Sequence, residues 1–370
     1  MPVGLSADML NAVPFGDRDL GEEMASIYVP HTRFVALYDR IGAAIRRHRR
    51  GRKSSNLHVT GPSFTGKSTL IEKLATDFPS TPDVRRFEQK GIEYVSDDRP
   101  LIVVEMPGEP TLKALLKRII KQYTSDTDML KGEVSDLEDR VVLLAARCGT
   151  IVILIDETQR AVDTRGVADR DRIAEWLKSA PRDTGALMLL FGLRYLRFLF
   201  LNDRQVENRW GAELRFDPYE WVNKKGEPNL EDQGEFLGAV RSLIEASPVP
   251  FSDDVNLQTS DDDLLDDAAL RYYYVGQGKL GPLKSLAKRA NEVVQDLGDQ
   301  NAIVDRRVLE VAYAAEFGRE RGGYRNHVNP FSDDWQRQLP PVDDDNMPAD
   351  VGRKGSRKER RARAMSALTK

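Results

Sequence analysis

Hydrophobic positions along the chain follow two different spacings. Short, continuous apolar runs rich in β-branched residues are typical of strands buried on both faces of a parallel sheet. Four such runs occur at 57–60, 101–105, 151–155 and 186–191, with a shorter fifth near 214–216. Elsewhere apolar residues recur every three to four positions, which indicates amphipathic helices. These helical segments cover 33–50, 67–77, 111–123, 136–147 and 169–180. The alternation predicts a doubly wound α/β domain with a parallel sheet.

The rest of the chain divides by composition. Residues 1–26 are mixed in character and predict a loose N-terminal arm, so the α/β domain is expected over 27–250. Seven aspartates and no basic residue lie between Asp253 and Asp267, which indicates a boundary loop. Helical spacing resumes after this loop and predicts a small helical domain over 251–317, with helices at 264–275, 283–297 and 305–317. From residue 318 onward glycine and proline interrupt every pattern, so 318–370 is expected to be a disordered linker with a basic tail.

Overall composition is that of a globular protein that buries a core. Of the 370 residues, 40% are hydrophobic and 31% are charged. The single cysteine, Cys148, excludes an intramolecular disulfide and fits a reducing cytoplasm. No apolar run approaches the roughly 18 residues of a membrane span, and the N-terminal residues lack a basic segment followed by an apolar one. We therefore expect a cytoplasmic protein without a membrane segment.

Charge is unevenly distributed along the chain. The totals of 55 basic and 59 acidic residues give a net charge of −4, which argues against a uniformly basic nucleic-acid binder. However, residues 351–370 carry eight basic side chains and one acidic one, so the tail contributes +7 and the remainder −11. The net charge therefore does not exclude a nucleic-acid partner that meets only one part of the protein.

The strongest chemical motif is a phosphate-binding loop between the first strand and the following helix. Gly61-Pro-Ser-Phe-Thr-Gly-Lys-Ser68 fits G-x-x-x-x-G-K-[ST], in which backbone N–H groups surround a phosphate at a helix N-terminus. Lys67 is expected to reach the β- and γ-phosphates of ATP, and Ser68 to bind Mg²⁺. The residues expected to contact the nucleotide are Gly61, Pro62, Ser63, Phe64, Thr65, Gly66, Lys67, Ser68 and Thr69.

Two acidic residues, Asp156 and Glu157, directly follow the strand predicted at 151–155. Asp156 is expected to hold Mg²⁺ through water, and Glu157 to polarise the water that attacks ATP. This pair favours hydrolysis over a guanine-nucleotide switch, and no N-K-x-D guanine-reading motif is present. A small-molecule kinase is a third possibility, against which the acid pair and the added helical domain both count.

Several further cations are weaker candidates for the nucleotide site. The strand ending at Gly192 and Leu193 carries no polar residue that could sense the γ-phosphate, and only Arg194 lies close by. Arg204 and Arg209 could each act as an arginine finger on a neighbouring subunit, or could be ordinary surface arginines. Lys284, in Gly281-Pro-Leu-Lys284, could lie over the nucleotide, or could be a solvated helix lysine.

Together these segments resemble the TniB/TnsC group of transposon-encoded AAA+ ATPases, which are relatives of the phage Mu B protein. The motifs that carry the resemblance are YVPHTRF at 28–34, GPSFTGKS at 61–68, PTLKALL at 110–116, ILIDETQRAV at 153–162, DRQVENRW at 203–210 and the helical region around 273–290. The phosphate loop is generic to the superfamily, whereas the other motifs are more specific. The chain departs from the group at two places. The strand that ends at Gly192 and Leu193 lacks the Thr or Asn that such proteins often have there, and the residues after Gly318 match no part of the group.

The resemblance implies a fold, an activity and partners. It implies an AAA+ P-loop core with a helical lid, and ATP hydrolysis to ADP and phosphate that is slow until a partner stimulates it. Such proteins assemble as rings or helical filaments on duplex DNA, mark the insertion target and recruit the transposase, in some cases with a target-selector protein. Hydrolysis then drives disassembly. Lys67, Ser68, Asp156 and Glu157 map onto the nucleotide chemistry.

The helix after Pro110 maps onto the DNA-facing side of such an oligomer. The resulting DNA-binding candidates are Thr111, Lys113, Lys117, Arg118 and Lys121. The residue pattern of this helix also favours contact with DNA independently of the resemblance, because Lys113, Lys117 and Lys121 repeat every four residues opposite an apolar face. Cations at one-turn spacing suit a phosphate backbone and read no bases. The alternative is a solvated lysine face.

Two functional hypotheses remain at this stage. The first is an ATP-dependent, sequence-tolerant DNA-binding transposition regulator. The second is an AAA+ loader or signalling ATPase that acts on a protein partner without touching DNA. The tail residues Arg353 to Arg363 are expected to contact transposase or DNA, with a solubilising charged terminus as the alternative.

Overall fold

The computed structural model describes residues 18–51, 55–89, 92–163, 167–199, 210–223, 225–298, 301–318 and 328–340. These residues form two compact units. An α/β unit comprises the described residues of Arg33–Asp217. A helical unit comprises the described residues up to Thr32 together with those of Pro218–Asp343. The division therefore falls at 217/218, whereas the sequence pattern places it near residue 250.

The part of the α/β unit that the structure describes contains seven strands. They are β1 (Leu57–Thr60), β2 (Thr81–Gln89), β3 (Ile92–Asp98), β4 (Leu101–Glu105), β5 (Val152–Asp156), β6 (Leu187–Gly192) and β7 (Leu214–Arg215). Five of them form one parallel sheet in the order β4-β5-β6-β1-β7. The register pairs Glu105 with Asp156 and Thr60 with Gly192, which brings these strand ends to one edge. The predicted α/β class is confirmed.

Helices cover the sheet and build the second unit. They are α1 (Leu20–Ser26), α2 (Thr32–Arg49), α3 (Lys67–Asp77), α4 (Leu112–Lys121), α5 (Val134–Arg147), α6 (Arg160–Asp163), α7 (Val167–Thr184), α8 (Leu230–Glu245), α9 (Asp262–Gly276), α10 (Gly281–Leu297) and α11 (Arg306–Phe317). Each helix expected from apolar spacing is present, with ends that differ by at most a few residues.

The sheet is buried on both faces, which explains its continuous apolar strands. In β5, Ile153 and Ile155 pack into a core with α4, α5 and α7, whereas Val152 and Leu154 pack into a second core with α2 and α3. Because successive side chains of a strand point to opposite faces, an apolar residue is needed at every position. All four of these side chains are fully buried.

Strands β2 and β3 form a separate antiparallel hairpin that the sequence pattern does not predict. Arg85 and Arg86 are exposed in β2, and β3 ends in Ser96 and two aspartates, so no apolar alternation is visible. Backbone pairing and local charge contacts support the hairpin instead. Arg85 pairs with Asp98 at 2.8 Å.

Helix α1 corrects the prediction of a loose arm for the residues that the structure describes. Asp19 caps the helix by accepting a hydrogen bond from the N–H of Glu22 at 2.9 Å. Leu20 and Met24 are buried in the core of the helical unit. Burying two such side chains contributes about 3–6 kcal/mol, which can hold a seven-residue helix that would not be stable alone.

Helix α8 explains why the boundary lies before residue 218. Its side chains Phe236, Val240 and Leu243 are buried with residues of α9, α10 and α11. The segment 218–250 therefore shares the hydrophobic core of the helical unit. The aspartate-rich stretch after Pro250 is a loop within that unit and the start of α9, where Asp261 caps the helix.

Residues 328–340 correct part of the disorder prediction, because they pack on the helical unit without forming a helix or strand. Phe331 is 1% exposed and contacts Tyr272 and Tyr313 through edge-on rings. The guanidinium carbon of Arg271 lies over the ring of Trp335, 4.7 Å from the ring centroid. Aromatic anchoring of this kind leaves no periodic signal. Residues 319–327 and 341–370, including the basic tail at 353–363, lie outside the described residues.

None of the described helices is long and apolar enough to cross a membrane.

Candidate functional site

The phosphate-binding loop joins the end of β1 to the start of α3 and is fixed by its backbone. The N–H of Gly61 donates to the carbonyl of Gly192 at the end of β6, at 3.1 Å. A side chain at Gly61 would collide with the carbonyl oxygen of Phe216. Gly66 has φ of 102°, in the left-handed region that favours glycine. Both glycines of the motif are therefore required by the local geometry.

Lys67 is the first residue of α3, and its ammonium points back into the loop. The Nζ atom donates to the carbonyls of Gly61 at 2.8 Å and Pro62 at 2.6 Å. The buried hydroxyl of Thr65 donates to the same Pro62 carbonyl at 3.0 Å. The loop thus already surrounds a cation, and phosphate oxygens would give that cation stronger, charge-assisted partners.

The other loop residues differ in exposure. Pro62 is buried, Ser63 and Thr69 are half-buried, and Phe64 is exposed with φ of 65°. Ser68 is exposed in the first turn of α3. A hydroxyl there lies at the positive end of the helix, where the phosphates and their Mg²⁺ bind in this type of loop.

Asp156 is the last residue of β5 and is half-buried at the sheet edge. Burial raises the pKa of its carboxyl group above the usual value, and the neighbouring charges of Glu157 and Glu105 act in the same direction. The N–H of Glu157 and the charge of Lys67 oppose this rise. A buried carboxylate of this kind is stabilised by a nearby cation such as Mg²⁺.

Glu157 lies immediately beyond β5 in a left-handed backbone conformation with φ of 53°. Its N–H donates to Oδ1 of Asp156 at 2.8 Å. Its carboxylate accepts a hydrogen bond from Nε2 of Gln159 at 2.8 Å and lies 3.6 Å from Nε of Arg160. The acid expected to activate water is therefore held by two side chains that the sequence analysis did not select.

Gln159 connects this acid to the end of β6. Its Oε1 atom accepts from the N–H of Leu193 at 3.1 Å, and a side chain at Gly192 would collide with the same atom. Gln159 is buried, at 6% exposure. Arg194, the only polar residue expected near this strand end, is half-buried at the start of a short 3₁₀ helix.

Arg160 connects the acid to the end of β4. It pairs with Glu105 at 2.5 Å and donates to the carbonyl of Met106 at 2.9 Å. Gln159 and Arg160 follow the paired acids after one intervening threonine, in Asp-Glu-Thr-Gln-Arg. The only sequence signal for them is this adjacency, because their partners at 105 and 193 are distant in the chain.

The residues at this edge fit a nucleotide with its metal ion. No three His, Cys, Asp or Glu side chains of the described residues come together as a metal site. Mg²⁺ bound with ATP needs fewer protein ligands, because it keeps water molecules and takes phosphate oxygens. Ser68 and Asp156 carry a hydroxyl and a carboxylate of the required kind, and Lys67 carries a positive charge at the same loop.

Of three other residues predicted for the nucleotide site, only Lys284 lies within the described residues. Arg204 and Arg209 lie outside the described residues. Lys284 lies in the first turns of α10, in the helical unit. The arginine-finger and nucleotide-contact roles expected for them stay predictions.

The five DNA-binding candidates lie in or next to α4. Thr111 caps the helix, and its Oγ1 atom accepts from the N–H of Ala114 at 3.2 Å. Arg118 donates to the carbonyl of Glu105 at 2.9 Å. Lys113 and Lys117 are half-buried along their length, and Lys121 is exposed. The apolar residues of the helix are buried: Leu112, Leu115, Leu116, Ile119 and Ile120.

Comparisons with known proteins agree with this geometry. The family model for "Bacterial TniB protein" matches residues 24–218. The Aeropyrum pernix ORC1 protein, solved in complex with DNA, has a TM-score of 0.52 and 18% identity over 80% of this chain and 69% of that chain. The Aeropyrum pernix ORC2 protein, in ADPNP-ADP complexes, has a TM-score of 0.51 and 16% identity over 81% and 72%. No curated protein sequence matches the chain.

The sheet order, the phosphate loop, the acids at the end of β5 and the match to the TniB family model together define the class of protein, an ATPase of the AAA+ type. The family model spans more than half of the 370 residues. The chain therefore belongs to the TniB family.

Proposed function

We propose that the protein is an ATP-dependent DNA-binding regulator of transposition. In this proposal it binds ATP and Mg²⁺, oligomerises on duplex DNA as a ring or filament, and marks the insertion site. It then recruits and activates the transposase, with or without a target-selector protein, and hydrolysis drives disassembly. Membership of the TniB family and the placement of α4 support this proposal.

The DNA-binding part of the proposed function is supported mainly by three lysines of α4, Lys113, Lys117 and Lys121, which we call the lysine row. The opposite side of the helix is anchored by five buried apolar side chains, so the row is held in a fixed position. Each lysine follows the previous one by about one helical turn. This arrangement presents a line of cations to a repeating anionic partner.

Charge neutralisation distinguishes this row from other lysines of the α/β unit. Lys113 has only a long contact with Glu133, at 3.8 Å, and that side chain is 85% exposed. Lys117 and Lys121 form no ion pair with any residue that the structure describes. Three other lysines of the unit have close acidic partners at 2.6–2.7 Å, in the pairs Lys73–Asp77, Lys131–Asp128 and Lys178–Glu175. Lys67 instead donates to the backbone carbonyls of the phosphate loop.

A sequence-tolerant contact with DNA phosphates follows from this chemistry. Lysine ammonium groups act as point charges and release counterions from DNA without reading bases. One helix offers few contacts, but an oligomer repeats the row along the duplex and multiplies them. Association with DNA also agrees with the ORC1 relative, which was solved in complex with DNA.

ATP turnover would use the edge formed by the ends of β1, β5 and β6. Glu157 accepts a proton from water as the water oxygen bonds to the γ-phosphorus and the bond to the β-phosphate oxygen breaks, which yields ADP and phosphate. Lys67 stabilises the charge on the phosphate oxygens. Bound Mg²⁺ supplies further charge neutralisation, with Ser68 and Asp156 as its protein-side partners.

The test is charge reversal in the lysine row. The variant Lys113→Glu with Lys117→Glu should lose at least tenfold in affinity for a duplex of arbitrary sequence, measured with ATP by fluorescence anisotropy across a salt series. The matched control, Arg172→Glu with Arg182→Glu, makes the same change in charge on the exposed surface of α7. We expect this control to bind DNA like the wild type.

Two results would contradict the proposal. If wild-type protein with ATP bound no duplex, the alternative of a loader or signalling ATPase with a protein partner would be favoured. If the control lost as much affinity as the lysine variant, the effect would come from overall charge and not from α4. Electron microscopy of wild-type protein with ATP and DNA tests the oligomer, because a monomer under these conditions is incompatible with it.

In the proposed function, the basic tail takes part in recruiting the transposase. Removing residues 341–370 should leave ATP binding intact and impair recruitment or integration. The deletion begins at 341 because residues 328–340 pack on the helical unit through Phe331 and Trp335. Unchanged integration by the truncated protein would remove the tail from the proposal.

A further inference from the structure

Glu157 needs outside support to keep one orientation. Its φ of 53° places a non-glycine residue in the left-handed region, which is unfavourable for an L-amino acid with a side chain. A glutamate side chain also has several rotatable bonds, so its carboxylate does not hold a fixed direction by itself. Contacts to its carboxylate therefore decide where a bound water would meet it.

Gln159 provides the hydrogen bond that fixes this carboxylate. Its Nε2 atom donates to Oε2 of Glu157 at 2.8 Å, and its Oε1 atom accepts from the N–H of Leu193 at 3.1 Å. A backbone N–H can only donate, so the amide oxygen must face Leu193 and the amide NH₂ must face Glu157. These two partners therefore fix which end of the Gln159 amide is the oxygen and which is the nitrogen.

The end of β6 is shaped to admit this side chain. Gly192 has no Cβ, and a Cβ there would overlap with Oε1 of Gln159. The carbonyl of Gly192 also accepts from the N–H of Gly61, the first residue of the phosphate loop, at 3.1 Å. A continuous series of hydrogen bonds and one peptide link thus joins the phosphate loop to Glu157 through the end of β6.

Arg160 supports the acid in a different way. Its Nε atom lies 3.6 Å from Oε2 of Glu157, beyond hydrogen-bond distance, while the guanidinium is paired with Glu105 at 2.5 Å. It contributes charge without setting a direction. Among the residues that the structure describes, Gln159 is the side chain that donates a hydrogen bond to Glu157.

We propose that Gln159 is the positioning residue for Glu157 and holds its carboxylate in line with the phosphate loop. The proposal rests on the ATP hydrolysis required by the proposed function and not on DNA binding. Gln159 touches no reacting atom and acts through Glu157.

The decisive variant is Gln159→Glu. It keeps the shape of the side chain and an oxygen acceptor for Leu193, but it removes the donor and places a like charge against Glu157. We expect kcat for ATP hydrolysis to fall at least tenfold, while KM and the affinity for a non-hydrolysable ATP analogue change less than threefold. A purely structural role at Leu193 would leave kcat unchanged.

A matched control exists in the helical unit. Gln295 accepts from the N–H of Leu20 at 2.8 Å and donates to the carbonyl of Arg18 at 2.9 Å, so Gln295→Glu makes the same chemical change in the unit that does not contain the phosphate loop. This control should keep kcat. If Gln159→Glu lowers the melting temperature, Gln159→Met removes the donor to Glu157 without adding a buried charge, and it also removes the acceptor for Leu193.

A double-mutant cycle separates action through Glu157 from a general effect. In the Glu157→Gln background, adding Gln159→Glu should not lower the single-turnover rate further. A kcat within twofold of wild type in both Gln159 variants, or a fully additive loss in the cycle, overturns the inference. Hydrolysis is measured with and without DNA, so a wild-type enzyme that hydrolyses ATP but binds no DNA counts against the proposed function alone.

Discussion

The α/β unit carries two polar surfaces that are built in different ways. At the nucleotide edge two side chains have fixed partners: Gln159 bonds Glu157 and the N–H of Leu193, and Arg160 pairs with Glu105. In the lysine row of α4 the backbone is anchored, but Lys117 and Lys121 have no ionic partner among the described residues. The first surface depends on geometry and the second on charge.

This difference determines how each surface should respond to mutation. Where one group in one position performs a step, its removal has a large effect that salt changes little. Where several mobile cations share a contact, each removal has a small effect that adds to the others and weakens with salt. Four sets of substitutions test this contrast, from the largest expected effect to the smallest.

Lys67→Ala should cause the largest change, because it removes the cation that the loop surrounds. Losing charge-assisted hydrogen bonds to phosphate should reduce ATP affinity by roughly 100-fold or more, measured by isothermal titration. Lys73→Ala is the control, since it removes a lysine of the same helix α3 that pairs with Asp77 at 2.6 Å. ATP affinity within tenfold of wild type for Lys67→Ala would contradict the role given to this residue.

Glu157→Gln should separate hydrolysis from binding. The amide cannot accept a proton from water, so hydrolysis should fall about 100-fold or more while ATP affinity is retained. The ATP-bound oligomer should then persist on DNA, which can be followed by light scattering or microscopy. Glu105→Gln changes a carboxylate at the adjacent strand end and should slow hydrolysis far less. Rapid disassembly of Glu157→Gln would argue against Glu157 as the base.

Sequence and structure agree best where the backbone itself imposes the residue pattern. Strand β1, strand β4 and helix α3 have the bounds that apolar spacing predicts. The loop between β1 and α3 is equally predictable, because Gly61 and Gly66 are required by contacts and by a positive φ. Burial on two faces and tight turns leave a local record in the sequence.

Features that depend on distant partners could not be predicted in this way. The role of Gln159 requires that the ends of β5 and β6 be neighbours, and the packing of Phe331 requires α9 and α11. Helix α1 is too short to show a period and is held by buried Leu20 and Met24. These contacts are tertiary, so no local pattern records them.

Single alanine substitutions in the lysine row should have graded effects. Each of Lys113→Ala, Lys117→Ala and Lys121→Ala should lower DNA affinity about three- to tenfold and reduce the salt slope by about one. The losses should add if, as proposed, each lysine contacts a separate phosphate. A single substitution that abolished binding alone would mean that this surface is a geometric site like the nucleotide edge, and the contrast would fail.

Thr111→Ala should have the smallest effect and separates the two roles open to this residue. Its hydroxyl already accepts from the N–H of Ala114, so losing the cap should destabilise the protein by about 1 kcal/mol, seen as a lower melting temperature. Thr111→Ser keeps the hydroxyl and should restore stability. Because a neutral cap adds no cation, the salt slope of DNA binding should stay at the wild-type value in both variants. A DNA affinity that Thr111→Ala reduces and Thr111→Ser restores, at unchanged melting temperature, would instead make the hydroxyl a phosphate ligand and place a fixed hydrogen bond within the charged row.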